Sequence, residues 1–551
     1  MTSADEIEPA SPRSRPPWHW LATPPRHLAA FAHLWRNVTI AGLAQELARR
    51  EPDFVALIDG QRAMTRKEWL EEAQALAAAM ADTGLQPGDV VAFQLPNWHE
   101  AGVLNLACAI GGFVINPIVP IYRDAEVRQM LQDCGARAIF SCGMHRGFDF
   151  AAMARRLRDE LPDLRHVFVV RPEAGEVHEC DYARLLETGR DLPRHPAATD
   201  PDAVKMVLYT SGTTGRPKGV LHSHNTIEHI VRSSYEHWGV RPGDTIIMPS
   251  PVTHISGYAN GLEAPLICGT RVVLMERWDA DTAIELIARH GVSGTVAATP
   301  FLVELAAAAR LASTRLPSMR WFACGGAAVP ADLIPAANRA FDNMTAFRVF
   351  GASEVPLVTY GWPHDEHLAA TTDGKVVSYD VKIADDDGTH LPAGVEGEIL
   401  ARGPSMMLGY ANHEQSAEAI DDEGYFRTGD LGRLSADGAL TVTGRKKDLI
   451  IRGGENISAA EIEDVLRSHP AVRDVSVVAM PHERLGEGVC AFVVGEGTPA
   501  SEQDLCDHVA ASGLARQKIP ERFVFVDDFP RTASGKVRKD VLRADARTRA
   551  G

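Results

Sequence analysis

The stretch YTSGTTGRPKGV, from Tyr209 to Val220, is the least ordinary part of this 551-residue sequence. It holds three glycines, four serine and threonine side chains, one proline and one lysine, and it overlaps the end of a β-rich run that begins at Val204. Glycines let a ligand approach the backbone closely, and free N–H groups in such a loop form a concave site for anions. The stretch therefore predicts a loop that binds a polyphosphate. The residues expected to contact that ligand are Thr210, Ser211, Gly212, Thr213, Thr214, Gly215 and Lys218.

Two other interpretations of this loop are less favoured. The Walker A pattern G-x-x-x-x-G-K-S/T, counted from Gly212, meets Pro217 where its second glycine should stand. Pro217 also lacks an N–H group and resists the helix that must follow a Walker A loop. A flexible, solvated loop rich in Ser, Thr and Gly is the other alternative, and the full string favours phosphate binding over it.

Composition and charge narrow the class of protein. The formal net charge is −17, which disfavours broad nucleic-acid binding because a phosphate backbone requires a basic surface. No apolar run reaches the roughly 18 residues that span a bilayer, and the N-terminus lacks the apolar core of a signal peptide. The eight cysteines are scattered without a CxxC pair, which favours a reducing cytoplasm over a disulfide framework or a zinc ribbon. The expected partners are therefore small molecules, with no nucleic acid and no transmembrane segment.

Strand-like and helix-like segments alternate along most of the chain and predict an α/β fold. Residues 1–37 are rich in Pro, Arg and Trp and are expected to form an irregular lead-in. Residues 38–445 are expected to form a large N-terminal domain of layered α/β subdomains, with a small β-rich subdomain toward its end. Residues 446–551 are expected to form a small α+β domain, in which Ser458 and Glu461 have the spacing of a capping box.

Four further motifs follow the loop along the chain. They are FGASE ending at Glu354, YFRTGD ending at Asp430, GRKKDLIIRGGENI beginning at Gly444, and PRTASGKVRK ending at Lys539. In this order the five motifs resemble those of the adenylate-forming superfamily, which includes acyl-CoA synthetases, aryl-CoA ligases, peptide-synthetase adenylation domains and luciferases. The resemblance begins near Thr39, covers nearly the whole chain, and is strongest to bacterial ligases for cyclohexanecarboxylate or medium-chain acids.

The resemblance implies ATP, Mg²⁺ and coenzyme A as cofactors and assigns roles to the motif residues. Lys536 resembles the lysine that bridges the carboxylate and the α-phosphate, two anions whose approach requires charge neutralisation. Glu354 resembles the glutamate associated with Mg²⁺, which prefers hard oxygen ligands, and Thr210 is placed with it. Asp430 is expected to accept hydrogen bonds from the ribose, and Arg445 to contact the ribose or a phosphate. The other residues expected around the adenine and phosphates are Gly326, Ala327, Ala328, Phe350, Gly351, Ala352 and Ser353.

The resemblance also implies that the C-terminal domain is mobile and rotates between two half-reactions. The pivot corresponds to Lys447, and Gly453 and Gly454 correspond to residues that line the channel for the pantetheine arm of coenzyme A. Side chains there would block a thin thiol arm, so glycine has a physical reason at both positions. A plain turn after a strand is the alternative for these glycines, and Lys446 is expected to be an ordinary solvated lysine.

The segment SPVTHISGYANGLEAP lies where the family builds its acyl pocket. His254 resembles the residue that gates this pocket and joins Lys536, Glu354 and Thr210 as a catalytic candidate, with a purely structural histidine as the alternative. Ile255 stands where amino-acid-activating relatives carry an aspartate, so this position offers no charge partner to an α-amino group. The other residues expected to line the pocket are Gly257, Gly325, Val355 and Pro356.

Together these features predict an AMP-forming acyl-CoA synthetase for an alicyclic, medium-chain or steroid-side-chain carboxylic acid. The carboxylate would attack the α-phosphate of ATP to give acyl-AMP and pyrophosphate, and the acyl group would then pass to the thiol of coenzyme A. The alternatives left open are a free-standing adenylating enzyme that loads a carrier protein, an aryl-CoA ligase and a non-catalytic adenylate-binding protein. A cytoplasmic location is expected, and a homodimer is compatible with the sequence.

Overall fold

The structure is a computed structural model of the 551-residue chain. It describes residues 17–22, 24–60, 62–173, 181–194, 196–210, 217–326, 329, 333–452, 455–482, 484–532 and 535–550. Within these ranges the strands form two seven-stranded sheets, a four-stranded sheet, a five-stranded sheet and a two-stranded ribbon.

The strands are numbered in chain order. They are β1 (Val55–Asp59), β2 (Arg62–Thr65), β3 (Val90–Gln94), β4 (Val114–Pro117), β5 (Ala136–Cys142), β6 (Met144–His145), β7 (Phe148–Asp149), β8 (His166–Val170), β9 (Val204–Thr210), β10 (Lys218–Ser223), β11 (Thr245–Met248), β12 (Arg271–Leu274), β13 (Val292–Ala297), β14 (Trp321–Gly325), β15 (Thr345–Val349), β16 (Asp380–Ala384), β17 (Gly397–Arg402), β18 (Gly409–Tyr410), β19 (Phe426–Leu434), β20 (Leu440–Arg445), β21 (Leu449–Arg452), β22 (Glu455–Ser458), β23 (Val472–His482), β24 (Gly486–Gly495) and β25 (Arg522–Phe525).

The α-helices are likewise numbered in chain order. They are α1 (Arg26–Ala29), α2 (Ile40–Arg50), α3 (Arg66–Asp82), α4 (His99–Gly111), α5 (Asp124–Cys134), α6 (Phe150–Glu160), α7 (Tyr182–Arg190), α8 (His224–His237), α9 (Ile255–Gly257), α10 (Ala264–Ile267), α11 (Ala280–His290), α12 (Thr299–Leu311), α13 (Leu333–Ala340), α14 (Glu366–Thr371), α15 (His413–Ala419), α16 (Ala459–Arg467), α17 (Glu502–Ala511) and α18 (Lys539–Ala550). A π-helix, Tyr258–Glu263, joins α9 to α10.

The two large sheets are mostly parallel. The first has the strand order β15-β14-β13-β11-β12-β1-β2, in which only the β1–β2 pair is antiparallel. The second has the order β18-β10-β9-β4-β3-β5-β8, in which β10 is antiparallel to both of its neighbours. Strands β3 and β5 are buried along their whole length, as parallel strands covered on both faces should be. The predicted α/β fold is therefore confirmed.

The predicted phosphate loop joins two antiparallel strands of the second sheet. Strand β9 ends at Thr210, β10 begins at Lys218, and these two residues lie opposite each other in the ladder. The residues between them, 211–216, lie outside the described ranges. A Walker A loop leads from a strand into a helix, so the strand that follows this loop also argues against that motif.

The described residues between 17 and 37 pack on the body of the large domain. Trp18, Leu28 and Trp35 are buried in the same apolar core as the strands of the two large sheets. The indole N–H of Trp35 donates to the carbonyl oxygen of Pro404 at 2.9 Å. This part of the chain therefore contributes to the core, and it includes the short helix α1.

The last part of the chain forms a separate α+β layer. Strands β21 to β25 form one sheet, and an apolar cluster on it includes residues of α16 and α17. Helix α16 begins directly after Ser458, whose hydroxyl accepts the N–H of Glu461 at 3.5 Å. The four-stranded sheet β16-β17-β19-β20 precedes it and corresponds to the β-rich part of the large domain. Throughout the described ranges, no helix is both long and apolar enough to cross a membrane.

Candidate active site

The candidate site lies at the carboxyl ends of strands from both large sheets. Strand β9 ends at Thr210, β14 ends at Gly325, and β15 ends one residue before Phe350. Open parallel sheets bind ligands at this edge, because loops from successive strands meet there. Motifs that are distant in the sequence are brought together in this way.

Glu354 is held by two hydroxyl groups. The Tyr410 hydroxyl donates to Glu354 Oε1 at 2.8 Å, and Thr210 Oγ1 donates to the same oxygen at 3.5 Å. Lys218 Nζ lies 4.9 Å from the centre of the Tyr410 ring, within the range of a cation–π attraction. Thr210, at the start of the phosphate loop, therefore lies beside Glu354. The ammonium group of Lys218, at the end of the loop, lies next to the tyrosine that holds this glutamate.

Neighbouring segments hold the backbone of the FGASE motif. The carbonyl oxygen of Ser353 accepts the Nε2–H of His222 at 2.8 Å, and that of Glu354 accepts the N–H of Met407 at 2.8 Å. Burial lowers the pKa of His222 to about 4, so the ring that holds Ser353 is neutral at neutral pH. The other motif residues are Phe350 and Ala352, which are half-buried, and Gly351, which is exposed.

Asp430 and Arg445 face each other across strands β19 and β20. Arg445 Nε lies 2.7 Å from Asp430 Oδ1, and the aspartate side chain is buried while the guanidinium is exposed. Burial raises the pKa of Asp430, and the charges of Arg445 and Lys536 act in the opposite direction. A buried acceptor beside an exposed cation suits the hydroxyl and phosphate groups of a nucleotide.

Lys536 reaches this site from the C-terminal domain. Its Cε lies 3.8 Å from the position that a Cβ would occupy on Gly326, which follows β14. The pKa of Lys536 is lowered to about 8, mainly by burial and also by the charge of Arg445, whereas Asp430 and Glu354 oppose the shift. Because these charges all act on one ammonium group, the four charged residues converge on one region. The C-terminal domain is thus placed with Lys536 facing the predicted adenylation site.

His254 interacts electrostatically with Lys536. It is half-buried and directly precedes α9. Burial, followed by the charge on Lys536, lowers the pKa of His254 to about 4. A neutral imidazole therefore accompanies the ammonium group at neutral pH.

The remaining candidates for the acyl pocket are apolar or glycine. Ile255, Val355 and Pro356 are buried. A Cβ on Gly257 would lie 2.0 Å from the carbonyl oxygen of Pro251, and one on Gly325 would lie 2.4 Å from that of Val349. Both glycines are thus demanded by close packing of main-chain segments, because no side chain fits at either place.

The predicted hinge segment contacts the last helix of the chain. Burial lowers the pKa of Lys447, and Arg445 lowers it further. The carbonyl oxygen of Lys447 accepts a hydrogen bond from Arg543 of α18 at 3.2 Å, and Arg543 also forms an ion pair with Asp448.

Lys446, by contrast, is held by the large domain. Its Nζ lies 3.1 Å from Glu398 Oε2 and 3.0 Å from Asp386 Oδ1. The Lys446 side chain is 36% exposed, so it stays partly solvated while it pairs with carboxylates that the folded β-rich sheet brings close.

Some predicted residues lie outside the described ranges, and their contacts stay predictions. They are Ser211, Gly212, Thr213, Thr214, Gly215, Ala327, Ala328, Gly453 and Gly454.

Sequence reasoning missed Tyr410 and His222, which hold Glu354 and Ser353. Neither residue has a local signal, because a tyrosine or a histidine in a β-rich run is typical of a structural residue. Tyr410 reaches Glu354 only because β18 pairs with β10.

The oxygen donors around Glu354 fit Mg²⁺. A carboxylate and a threonine hydroxyl are hard ligands, and Mg²⁺ usually completes its shell with phosphate oxygens and water.

In the described part of the chain, one group of His, Asp and Glu side chains is close enough to share an ion, namely Asp59, His99 and Glu100. Arg171 pairs with both of its carboxylates, so this cluster is a charge-balanced network that includes no motif residue.

Known proteins share this architecture. The sequence matches the AMP-binding enzyme family over residues 44–411 and the AMP-binding enzyme C-terminal domain over residues 461–536. It is 34% identical over 524 residues to the medium-chain fatty-acid–CoA ligase of Escherichia coli strain K12, with 93% of this chain and 91% of that protein covered. It is also 34% identical over 496 residues to the indoleacetate–CoA ligase of Aromatoleum aromaticum, with 90% and 95% covered.

A solved structure with ATP bound is similar along nearly its whole length. MatB from Rhodopseudomonas palustris superimposes with a TM-score of 0.82 at 27% identity, covering 92% of this chain and 99% of that chain. The family matches span both domains, and the motif residues converge at one edge of the sheets. The chain belongs to the AMP-binding enzyme family and is an AMP-forming acid–CoA ligase of the adenylate-forming superfamily.

Proposed function

We propose that this enzyme activates an alicyclic, medium-chain or steroid-side-chain carboxylic acid and transfers it to coenzyme A. In the first step a carboxylate oxygen bonds to the α-phosphorus of ATP, the bond from that phosphorus to the β-bridging oxygen breaks, and pyrophosphate leaves. In the second step the sulfur of coenzyme A bonds to the acyl carbon, and the bond from that carbon to AMP breaks. The thiol proton is released to solvent.

The convergence of Lys536 with Glu354, Asp430 and Arg445 carries this proposal. Two anions, the carboxylate and the α-phosphate, must approach each other in the first step, and a positioned ammonium group stabilises the charge that develops. The acid arrives ionised, so no general base is needed and catalysis rests on positioning and charge stabilisation. We infer that Lys536 supplies that charge.

The other motif residues would bind the nucleotide. Asp430 would accept hydrogen bonds from the ribose, with Arg445 beside it, and Phe350 would stack on the adenine. Glu354 and Thr210 would hold Mg²⁺, which when bound neutralises charge on the phosphate oxygens. Lys218 and the loop that precedes it would bind the pyrophosphate that leaves.

The domain boundary belongs to the same proposal. Lys446 pairs with Glu398 of the β-rich sheet, whereas the carbonyl oxygen of Lys447 is bonded to Arg543 of the last helix. Adjacent residues are thus anchored to different domains, which supports a hinge at Lys447. Rotation of the C-terminal domain about Lys447 would move Lys536 away from the adenylation site. It would bring to that site the pantetheine channel that Gly453 is proposed to line.

The acid is proposed from the walls of the pocket. Ile255 and Val355 are buried apolar residues, and Ile255 offers no charge partner to an α-amino group. The two curated relatives are named for an aliphatic and an aromatic acid, so an experiment must include both kinds.

We expect cyclohexanecarboxylate and octanoate to be activated with kcat/KM at least about tenfold above benzoate and phenylalanine. One methylene in an apolar pocket changes kcat/KM by roughly 10- to 200-fold, so differences of this size are measurable. The assay is AMP release over a panel of acids, with and without coenzyme A. Preference for benzoate would favour an aryl-CoA ligase, and release that needs an added carrier protein would favour a carrier-loading enzyme.

The kcat/KM for acyl-AMP formation is expected to fall as the pH rises through about 8. Lys536 must carry its proton to stabilise the developing charge, and burial lowers its pKa to about 8. The pH profile of kcat/KM reports groups of the free enzyme, and ATP–pyrophosphate exchange measures it. In the Lys536→Arg variant the guanidinium stays protonated over this pH range. The fall of kcat/KM near pH 8 should therefore disappear, even if the variant is slower than the parent. An unchanged fall in that variant would assign the titration to another group.

A further inference from the structure

A fully buried cluster connects β9 to the π-helix and is not used by the proposed chemistry. Lys205 of β9 and Glu263 of the π-helix form an ion pair, with Nζ 2.5 Å from Oε1 and side chains 2% and 0% exposed. The same Nζ donates to the Tyr258 hydroxyl at 2.6 Å and to Asn105 Oδ1 at 3.2 Å. The amide of Asn105 donates to Glu263 Oε1 at 2.9 Å, which closes the cluster.

Stability alone does not account for this cluster. Buried ion pairs are often no more stabilising than well-packed apolar side chains of similar volume, because both charges lose their hydration. In addition, Glu263 Oε2 is buried and has no hydrogen-bond partner within the described part of the chain. The best-attested use of such pairs is to select one arrangement of the elements that carry them.

The π-helix is the element that makes the arrangement possible. Tyr258 and Glu263 are five residues apart and stand at its two ends. A π-helix pairs residues i and i+5, which places these two side chains on the same side, toward Lys205. In an α-helix, with 3.6 residues per turn, they would point in clearly different directions.

The cluster connects the strand before the phosphate loop to the helix that follows the predicted acyl-pocket segment. Lys205 lies on the strand that ends at Thr210 and leads into the phosphate loop. At the other end, the N–H of Tyr258 donates to the carbonyl oxygen of His254 at 2.8 Å, so the π-helix continues directly from the segment on the acyl side. One ion pair thus connects the strand of the nucleotide side to the helix of the acyl side.

We propose that Lys205, Glu263, Tyr258 and Asn105 form a positioning cluster that sets the distance between the phosphate loop and the acyl pocket. The inference rests on the proposed function, because it concerns the approach of the carboxylate to the α-phosphate. None of the four is a catalytic residue, since they act through the elements that carry the site. A displacement of about 1 Å between reactants can cost roughly a hundredfold in rate, so such a cluster affects kcat.

The test compares single and double replacements. Lys205→Met or Glu263→Leu alone leaves one buried charge without its partner, and each should lower the thermal midpoint and the activity together. The double variant Lys205→Met/Glu263→Leu removes both charges and should recover most of the thermal midpoint. Its kcat for ATP–pyrophosphate exchange should nevertheless stay about 10- to 100-fold below the parent, with KM for ATP changed by less than about threefold.

The matched control is another ion pair with a fully buried carboxylate, Arg232 and Glu228 of α8, which are 2.8 Å apart with side chains 16% and 0% exposed. The double variant Arg232→Met/Glu228→Leu should keep the parental kcat. If the Lys205/Glu263 double variant also keeps the parental kcat at a recovered thermal midpoint, the positioning role is overturned.

A milder variant covers the case in which the double variant does not fold. Tyr258→Phe keeps both charges and removes the hydroxyl that contacts Lys205 and Asn105. It should lower kcat by about tenfold, near the lower end of what one lost hydrogen bond to a charged group costs, and unchanged kcat would reject the proposal. Failure of the proposed function is distinct, since the parental protein would then show no carboxylate-dependent exchange with any acid.

Discussion

Replacing Lys536 with alanine is expected to lower the rate of acyl-AMP formation by about 10²- to 10³-fold, the range measured when one preorganised charge-stabilising donor is removed. The ammonium group lies near Asp430, Glu354 and Arg445, where the carboxylate and the α-phosphate are proposed to meet. Burial lowers the pKa of Lys536, so its charge is a cost to the folded state and the variant should fold normally. Carboxylate-dependent ATP–pyrophosphate exchange measures the loss, and circular dichroism checks the fold.

The second half-reaction provides the internal control for this variant. Transfer to coenzyme A from supplied acyl-AMP should stay close to the parental rate, because Lys536 is assigned only to the first step. Lys518→Ala is a matched replacement in the same domain, since Lys518 pairs with Glu461 at 2.5 Å and is not a motif residue. The Lys518→Ala variant should keep the parental rates of acyl-AMP formation and of transfer to coenzyme A. Equal loss of both half-reactions in Lys536→Ala would contradict the role assigned to this lysine.

Replacing Glu354 with glutamine should lower acyl-AMP formation by about a hundredfold and raise the Mg²⁺ concentration needed for half-maximal rate. The amide keeps the shape of the side chain but loses the charge that suits a hard divalent cation. A readout other than activity is calorimetric titration of ATP with and without Mg²⁺. Affinity for the Mg²⁺ complex should weaken at least about tenfold, while affinity for metal-free ATP should not weaken.

Tyr410→Phe is the control that separates charge from position. It keeps the Glu354 carboxylate and removes the hydroxyl that holds it at 2.8 Å. One hydrogen bond to a charged group contributes roughly 1.5–3 kcal/mol, so we expect a loss of about tenfold or more with the Mg²⁺ requirement nearly kept. A Glu354→Gln enzyme with parental Mg²⁺ dependence would remove the metal role from this residue.

Short sequence segments were enough to predict the class of this protein and parts of its local structure. The spacing around Pro217 excluded a Walker A loop, and the structure agrees in that β10 rather than a helix begins at Lys218. Ser458 was predicted to start a helix, and α16 begins at the next residue. Such signals are readable because they reflect backbone needs of neighbouring residues, namely a missing N–H group or a capping hydroxyl.

Contacts between distant segments could not be predicted in this way. Lys205 stands in a β-rich run where no pattern indicates a buried cation, and its partner Glu263 is 58 residues further along. Similarly, no local pattern indicates that Glu398 and Asp386 pair with Lys446 at the surface. In each case the packing of separate helices and strands determines which residues become partners. The hydrophobic periodicity of a single segment carries no information about that packing.

The sequence by itself determined the family, the α/β fold and the residue types that bind phosphate, metal and carboxylate, because these depend on ordered motifs and local backbone chemistry. Only the tertiary structure decided that Tyr410 holds Glu354, that Lys536 faces Asp430 in this domain arrangement, and that its pKa falls to about 8. The physical reason is that hydrogen bonds and charge interactions depend on distances of a few ångströms. Those distances are set where the carboxyl ends of two parallel sheets meet the C-terminal domain.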